Sequence, residues 1–119
     1  MGNRGSIQVI CPERPEWGRK SVVLFRHWRG DEKNMLELCK RTKKVFTETR
    51  GAPPYNQVNE IIALMTALSF EEIGTSTYLG KDENDGDNSN NGHFILEVHG
   101  EDKPGDWFLI TPEKKRILI

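Results

Sequence analysis

Alternating apolar and polar positions near the start of the chain predict a first pair of β-strands. Residues 6–10 alternate, and residues 21–25 form a β-branched and aromatic run of strand length. The connection between them is polar and contains Pro12, Pro15 and Gly18, which are typical of an open hairpin loop. We therefore expect two N-terminal strands joined as a hairpin.

Apolar side chains at three- and four-residue intervals then predict two amphipathic helices. The stripe of the first helix consists of Met35, Leu38, Cys39, Thr42, Val45, Phe46 and Thr49. Asp31 is placed to cap this helix, which is expected to end near residues 50–51. The second helix is expected to begin after the prolines at residues 53–54, and Gly74 to end the helical region. Its stripe consists of Tyr55, Val58, Ile61, Ile62, Met65 and Leu68.

The rest of the chain has the composition and alternation of strands. Four segments qualify, at residues 75–79, 93–98, 107–110 and 116–119. The predicted order is ββααββββ, which lacks the alternation of strands and helices typical of a doubly wound parallel sheet. We expect an α+β fold with two helices packed on one face of a mostly antiparallel sheet, and a single domain spanning residues 1–119.

Length and composition are those of one small domain, with 119 residues of which 35% are hydrophobic and 29% charged. The longest apolar runs, residues 61–64 and 108–110, are far shorter than the roughly 18 residues of a membrane-spanning helix. The N-terminus turns polar directly after Met1, unlike a secretory signal. Two cysteines, Cys11 and Cys39, are too few for a disulfide scaffold. We expect a cytoplasmic protein with reduced thiols and no membrane association.

A low-complexity segment at about residues 81–92 consists almost entirely of Asp, Glu, Asn, Ser and Gly. Such a composition buries little apolar surface, so we expect a flexible, solvated acidic loop at a hairpin tip between two strands. Calcium binding is the alternative, because carboxylates and amides are calcium ligands. The spacing differs from that of the twelve-residue calcium loop, which favours the solvated loop.

Charge is divided along the chain, although the formal net charge is only −1. Residues 14–50 contain eleven Lys or Arg against five acids, whereas residues 71–106 contain ten acids against two Lys. This division favours a small anionic ligand or a host protein as partner and is compatible with a homodimer. Alternatively, each region is simply solvated, or the two pair within the fold. Duplex nucleic acid is not expected, because the near-neutral molecule exerts no long-range attraction on a polyanion.

The stretch of residues 25–31 concentrates side chains suited to a nucleotide. Arg26 and Arg29 can bind a phosphate through paired hydrogen bonds, and Trp28 can stack on a base. His27 is the one candidate for acid–base catalysis, because an imidazole can donate or accept a proton. Further candidate ligand-binding residues lie on the neighbouring strands: Asn3, Arg4, Thr75, Ser76 and Tyr78. The alternative interpretation makes Trp28 a core residue, His27 a partner of the backbone and the arginines surface residues.

Sequence motifs for metals and common cofactors are absent. The three histidines, His27, His93 and His99, lack the short spacing of a zinc pair. The sequence contains neither a GxxxxGK phosphate loop nor a GxSxG nucleophile elbow. We therefore expect neither a metal nor a cofactor.

Three short motifs resemble those of an uncharacterised family of small proteins from phages, prophages and microbial genomes. They are Gly2-Asn3-Arg4, residues 23–30 with the sequence VLFRHWRG, and Gly74-Thr75-Ser76-Thr77. The second is similar to that family's tyrosine-rich strand followed by His-Trp-Gly-Gly, with Arg29 in place of the first glycine. The resemblance implies a viral or mobile-element context, in which small counter-defence proteins are frequent, and it implies no particular activity.

Three functions are compatible with these observations. The favoured one is a non-enzymatic binder of a phosphorylated ligand, such as a nucleotide signal used in antiviral defence. The second is an inhibitor of a nucleic-acid-binding enzyme, in which the acidic region at residues 82–106 imitates phosphate charge. The third, with the least support, is a metal-independent phosphodiesterase that uses His27 with Tyr78 or Arg26. The sequence thus favours binding over catalysis.

Overall fold

Six strands and two helices follow the predicted order in the computed structural model, which describes residues 2–49, 57–100 and 105–119. The strands are β1 (Gly5–Ile10), β2 (Lys20–His27), β3 (Ser76–Gly80), β4 (His93–Val98), β5 (Trp107–Ile110) and β6 (Arg116–Leu118). The helices are α1 (Glu32–Thr49) and α2 (Gln57–Phe70). The predicted α+β order ββααββββ is confirmed. The expected end of the first helix at 50–51 and the start of the second, including Tyr55, lie outside the described residues.

β2 extends two residues further than the sequence pattern predicts. The pattern ends the strand at Phe25 and assigns Arg26 and His27 to a strand-to-helix junction, whereas both residues lie in β2. Arg26 is 0% exposed, and a hydrophobicity pattern misses it because charged residues are rarely fully buried. The junction itself is the short turn at residues 28–31.

The six strands form one sheet in the order β3-β2-β1-β4-β5-β6. Neighbouring strands are antiparallel except for β1 and β4, so the sheet is mostly antiparallel as predicted. β3 and β4 run in the same direction and are separated by two strands. The expected hairpin tip at residues 81–92 is therefore wrong, and we call this segment the crossover loop. Parallel strands need about a dozen or more connecting residues, which accounts for its length.

Both helices pack on the same face of the sheet and share one apolar core with it. Alternate residues of each strand point toward the helices, and they supply Ile7, Val9, Leu24, Phe94, Leu96, Val98, Trp107 and Leu109. The predicted helical stripes supply Met35, Leu38, Cys39, Phe46, Val58, Ile61, Ile62, Met65 and Leu68. Within the described ranges, neither helix is long and apolar enough to cross a bilayer.

Both cysteines are buried and carry free thiols. Burial raises the pKa of Cys11 to about 11 and that of Cys39 to about 12. Since the thiolate is the reactive form, both side chains are inert at neutral pH and act as small apolar residues.

The crossover loop lies on the face of the sheet opposite the helices. On that face Tyr78 is stacked on Phe25, with ring centroids 5.0 Å apart. A Cβ added to Gly86 would come within 2.8 Å of both rings, and Tyr78 Oη accepts a hydrogen bond from the Asp87 amide at 2.9 Å. The loop therefore forms a second layer over this part of the sheet, and its flexibility stays a prediction.

Candidate functional site

Trp28 is held in an exposed and strained position directly after β2. Its φ angle is 88°, in the left-handed region that bulky residues rarely adopt. The residue is 54% exposed, and its ring is stacked on His27 with centroids 4.7 Å apart and planes 9° from parallel. Since His27 covers one face of the indole, the exposed area lies on the other face and the ring edges.

Asn3 holds the turn that contains Trp28. The backbone oxygen of Asn3 accepts hydrogen bonds from the amides of Trp28 at 3.0 Å and Gly30 at 2.8 Å. Its side-chain Nδ2 donates to the Trp28 carbonyl oxygen at 3.3 Å. Gly30 lies so close to Gly5 that a Cβ on either residue would overlap the backbone of the other. Asn3, a predicted ligand-binding residue, therefore positions Trp28.

Asp31 anchors the end of this turn at the start of α1. Its carboxylate accepts hydrogen bonds from the Asn34 amide at 3.4 Å and from the side chains of Asn34 and Asn3, both at 2.7 Å. Although burial acts to raise it, these hydrogen bonds lower the pKa of Asp31. The predicted capping role of Asp31 is confirmed.

Arg4 lies near His27, since a Cβ added to Gly2 would come within 2.7 Å of both Arg4 Nη1 and His27 Nε2. Its Nε is 3.1 Å from Asp87 Oδ2, and its Nη1 donates to Asn90 Oδ1 at 3.3 Å. The Arg4 side chain is 30% exposed, so part of it faces solvent. Hydrogen bonds from Ser89, together with the charge of Arg4, lower the pKa of Asp87. We call Arg4, His27, Trp28 and Asp87 the Trp28 site.

Asparagines of the crossover loop attach it to the N-terminal segment. Asn88 Nδ2 donates to Ser6 Oγ at 2.9 Å, and Asn91 Nδ2 donates to Asn3 Oδ1 at 2.6 Å. Asn88, Asn91 and Asp87 are not among the site residues that the sequence predicted. The many asparagines of this segment are a sequence signal for side-chain contacts. The contacts themselves join residues that are 82 and 88 positions apart in the chain, and such distant pairs leave no local sequence pattern.

His27 lies between Arg4 and Ser76, its register partner in β3. Its Nε2 is buried without a hydrogen-bond partner among the described residues, and a Cβ added to Gly2 would overlap this atom. General acid–base catalysis needs a proton donor or acceptor within hydrogen-bond reach of the reacting group. The described hydrogen bonds connect His27 to no other titratable side chain, so its catalytic role stays a prediction.

Arg26 and Arg29 lie on the helix side of the sheet rather than in the Trp28 site. Arg26 donates from Nε to Ser69 Oγ at 3.0 Å and from Nη1 to the Arg29 carbonyl oxygen at 3.1 Å, and its Nη2 pairs with Glu72. Arg29 is 42% exposed, with Nε 3.8 Å from Glu72 and Nη2 bonded to the Ile73 carbonyl oxygen. The Arg26 guanidinium therefore forms its hydrogen bonds within the protein, whereas part of the Arg29 side chain is exposed.

The predicted residues around the third strand do not converge. Thr75 precedes β3, and its Oγ1 is buried without a hydrogen-bond partner in the described part of the chain. Ser76 is exposed beside His27, and Tyr78 lies two residues further along, under the crossover loop. The structure therefore brings together Asn3, Arg4, His27, Trp28 and Ser76, and it places Arg26, Arg29 and Thr75 apart from them. Tyr78 contacts this group through the backbone amide of Asp87.

A second polar cluster surrounds His93 at the start of β4. Ser6 Oγ accepts a hydrogen bond from Asn88 Nδ2 and shares a second hydrogen bond with His93 Nδ1, 2.7 Å away. Burial lowers the pKa of His93. Its Nε2 is 3.9 Å from Glu83, beside a cavity of about 230 Å³ that Lys114 also lines. The neutral imidazole fastens β4 to β1 and to the crossover loop.

His99 bridges two carboxylates just beyond the other end of β4. Its Nδ1 contacts Glu13 and its Nε2 contacts Glu97. The hydrogen bond with Glu13, assisted by that with Glu97, raises the pKa of His99, as expected for an imidazolium that donates from both nitrogens. Across residues 2–49, 57–100 and 105–119, His, Cys, Asp and Glu form no group arranged to hold a metal.

No family model matches the sequence, and comparison with curated proteins and with solved structures gives no match either. The geometry of the Trp28 site is therefore the basis for proposing a function.

Proposed function

We propose that the protein is a non-enzymatic binding module that holds a nucleotide at the Trp28 site. The observation that carries the proposal is the exposed Trp28 indole, fixed at a φ of 88° and stacked on His27. A left-handed backbone costs about 1–2 kcal/mol in a residue with a side chain, and strained residues are concentrated at functional sites. A fixed aromatic plane suits a nucleobase, because every base has a π face to stack.

Arg4 supports a ligand that carries phosphate. Its guanidinium lies near His27 and is oriented by Asp87 and Asn90, and the Arg4 side chain is 30% exposed. Hydrogen bonds between Arg and phosphate are charge-assisted and strong. Since Asp87 neutralises part of this charge, the site favours a ligand whose base supplies much of the binding over a long polyanion. Arg29 offers a second, partly exposed cation on the other side of the turn.

Native mass spectrometry of the full chain, mixed with mononucleotides, cyclic dinucleotides and short linear oligonucleotides, tests the proposal. The expected result is a one-to-one adduct with at least one nucleotide, which is recovered unchanged. Absence of any adduct contradicts the proposal. Turnover of a nucleotide without an adduct contradicts it in favour of the phosphodiesterase, with His27 as the first residue to replace.

Inhibition of a nucleic-acid-binding enzyme has less support from the geometry. Asp82, Asp85 and Asp87 each accept a backbone amide within the crossover loop, at 2.8, 2.6 and 3.0 Å. These carboxylates stabilise the conformation of the loop, so its acidic residues have a structural role that does not require an enzyme as partner. The sequence resemblance implies a counter-defence context. We propose that the protein captures a nucleotide signal in that context.

A further inference from the structure

A small cavity lies between the crossover loop and the turn that joins β5 to β6, and we call it the His93 cavity. Its volume of about 230 Å³ is below the roughly 300–1,000 Å³ of pockets that hold drug-sized ligands, so it suits a ligand of few atoms. Polar and apolar side chains line it together: Glu83, His93 and Lys114, with Ile95, Ile110 and Pro112. A carboxylate, an imidazole and an ammonium group thus share one small cavity with an apolar wall.

Close contacts hold the walls of the His93 cavity against each other. Gly92 has a φ of 89°, and a Cβ added to it would come within 3.0 Å of Pro112, so the start of β4 touches the turn. The Thr111 amide donates to the Lys115 carbonyl oxygen at 2.9 Å, and the Lys114 amide donates to the Thr111 carbonyl oxygen at 2.8 Å. These contacts form the cavity without a ligand, as is usual for small-molecule sites.

Lys114 has a backbone conformation that favours a residue without a side chain. Its φ is 73°, and hairpin turns usually have Gly or Asn at such a position. Strained residues are concentrated at functional sites. The strain therefore indicates that the lysine side chain has a role at this turn.

Opposite charges act on His93 in the cavity. Its Nε2 is 3.9 Å from Glu83 Oε1, which is longer than a hydrogen bond. Burial lowers the pKa of His93, the charge of Glu83 opposes this effect, and the charge of Lys114 adds to it. The cavity therefore presents an anionic group and a cationic group near a neutral imidazole.

We propose that the His93 cavity binds a small zwitterion of the α-amino acid type with an apolar side chain. The ammonium group of the ligand donates to Glu83 Oε1 and His93 Nε2, since one nitrogen at about 2.9 Å from each can reach two acceptors that are 3.9 Å apart. His93 accepts this bond as the tautomer that carries its proton on Nδ1 and donates it to Ser6 Oγ.

The charges and the apolar wall favour a zwitterion over a simple ion. A lone anion would lie close to the Glu83 carboxylate and a lone cation close to the Lys114 ammonium, and like charges repel. A zwitterion instead places its carboxylate on Lys114 and its ammonium on Glu83. Its apolar side chain packs on Ile95 and Ile110, which are paired across β4 and β5, and this contact removes apolar surface from water.

Amide NMR titration of the full chain with L-valine tests the proposal, together with two analogues that each retain one of its charges. Isovalerate lacks the ammonium group of L-valine, and isobutylamine lacks the carboxylate. We expect L-valine to bind with shifts at the amides around the His93 cavity, and each analogue to bind at least roughly tenfold more weakly, because it leaves one charge of the cavity without a partner.

Two neighbouring lysines provide matched variants. Lys114→Gly removes the ammonium group at a position whose φ suits glycine, so the turn is expected to stay folded while the affinity for L-valine falls at least roughly tenfold. Lys115 pairs instead with Glu32, so Lys115→Ala is expected to leave that affinity unchanged. Circular dichroism confirms that both variants fold.

Three results would overturn the proposed zwitterion site: no binding of L-valine, equal affinity for L-valine and either analogue, or equal weakening by the two lysine substitutions. Nucleotide binding is a separate readout, because the residues that line the His93 cavity lie outside the Trp28 site.

Discussion

Asn3 and Trp28 show how a few contacts can fix an unfavourable backbone conformation. The carbonyl oxygen of Asn3 accepts amide hydrogen bonds from Trp28 and Gly30, and each such bond contributes about 0.5–1.5 kcal/mol. Together they offset the cost of about 1–2 kcal/mol for a left-handed residue with a side chain. The sequence predicted that Asn3 and Trp28 bind the ligand directly. It did not predict that Asn3 holds Trp28 in a left-handed conformation, because a backbone angle leaves no trace in a hydrophobicity pattern.

Replacing Trp28 with Gly and with Ala separates backbone strain from the indole. Both variants lose the stacked ring, whereas Gly alone adopts a φ of 88° without strain. Trp28→Gly is therefore expected to be more stable than Trp28→Ala by about 0.5–1 kcal/mol, after allowance for the entropy of unfolded glycine. Urea unfolding measures the difference, and a Trp28→Gly variant less stable than Trp28→Ala, as the entropy of unfolded glycine alone would make it, would show that the position is unstrained.

The crossover loop is the element whose path sequence analysis did not reveal. Composition predicted a polar connection of the right length and position, but local patterns define strands without defining which strands are neighbours. In the structure, the side-chain amides of Asn88 and Asn91 join the loop to Ser6 and Asn3. Amide side chains suit this role, because they donate to one partner and accept from another.

Two neighbouring asparagines of the loop provide a matched test of this attachment. Asn91 Nδ2 donates to oxygens of Asn3 and Arg4, so Asn91→Asp sets a carboxylate against two acceptors. Asn90 Oδ1 accepts from Arg4, and Asn90→Asp keeps that acceptor. We expect Asn91→Asp to lower the free energy of unfolding by about 1–3 kcal/mol and Asn90→Asp to change it by less than about 0.5 kcal/mol. Equal losses in urea unfolding would contradict the assigned donors and acceptors.

Over the whole molecule, the basic and acidic regions of the sequence partly pair with each other. Glu72 contacts Arg26, Arg29 and Arg41, and Glu71 pairs with Arg41 at 2.9 Å. Part of the basic excess at residues 14–50 is therefore neutralised inside the fold, as one of the alternative interpretations of the charge division holds. Counting charges along the chain overstates the charge of the surfaces.

The fold class was predictable because each element carries its own pattern. The predicted ranges 93–98 and 107–110 coincide with β4 and β5, since local alternation in the first and a short apolar run in the second are typical of strands. The parallel pairing of β1 with β4 and the burial of Arg26 were not predictable. Both depend on partners distant in sequence, such as Glu72, which lies 46 positions from Arg26.

Two histidines give the stability of the molecule opposite dependences on pH. The pKa of His99 is raised by Glu13 and Glu97. The contribution of His99 to the free energy of unfolding is therefore present below about pH 6.5 and is lost as pH rises through its folded pKa. The pKa of His93 is lowered by burial. The contribution of His93 to the free energy of unfolding is therefore present above about pH 6.5 and is lost as pH falls through its folded pKa.

Glutamine variants of the two histidines test these signs. His99→Gln is expected to destabilise the chain chiefly at low pH, because it removes the favourable imidazolium. His93→Gln is expected to destabilise it chiefly at high pH, where His93 is neutral and shares its hydrogen bond with Ser6. Free energies of unfolding between about pH 5 and 9 provide the comparison, and parallel profiles for the two variants would contradict the assignment.

The most direct test of the Trp28 site is the nucleotide affinity of two matched tryptophan variants. Trp28 is 54% exposed, and Trp17 in the connection between β1 and β2 is 71% exposed, so each variant removes an exposed indole. Stacking of a base is worth about 1–3 kcal/mol, so calorimetry with the nucleotide that forms the adduct is expected to show a loss of affinity of roughly fivefold or more for Trp28→Ala. Trp17→Ala is expected to bind as the unmodified chain does. Unchanged affinity in Trp28→Ala would contradict the account.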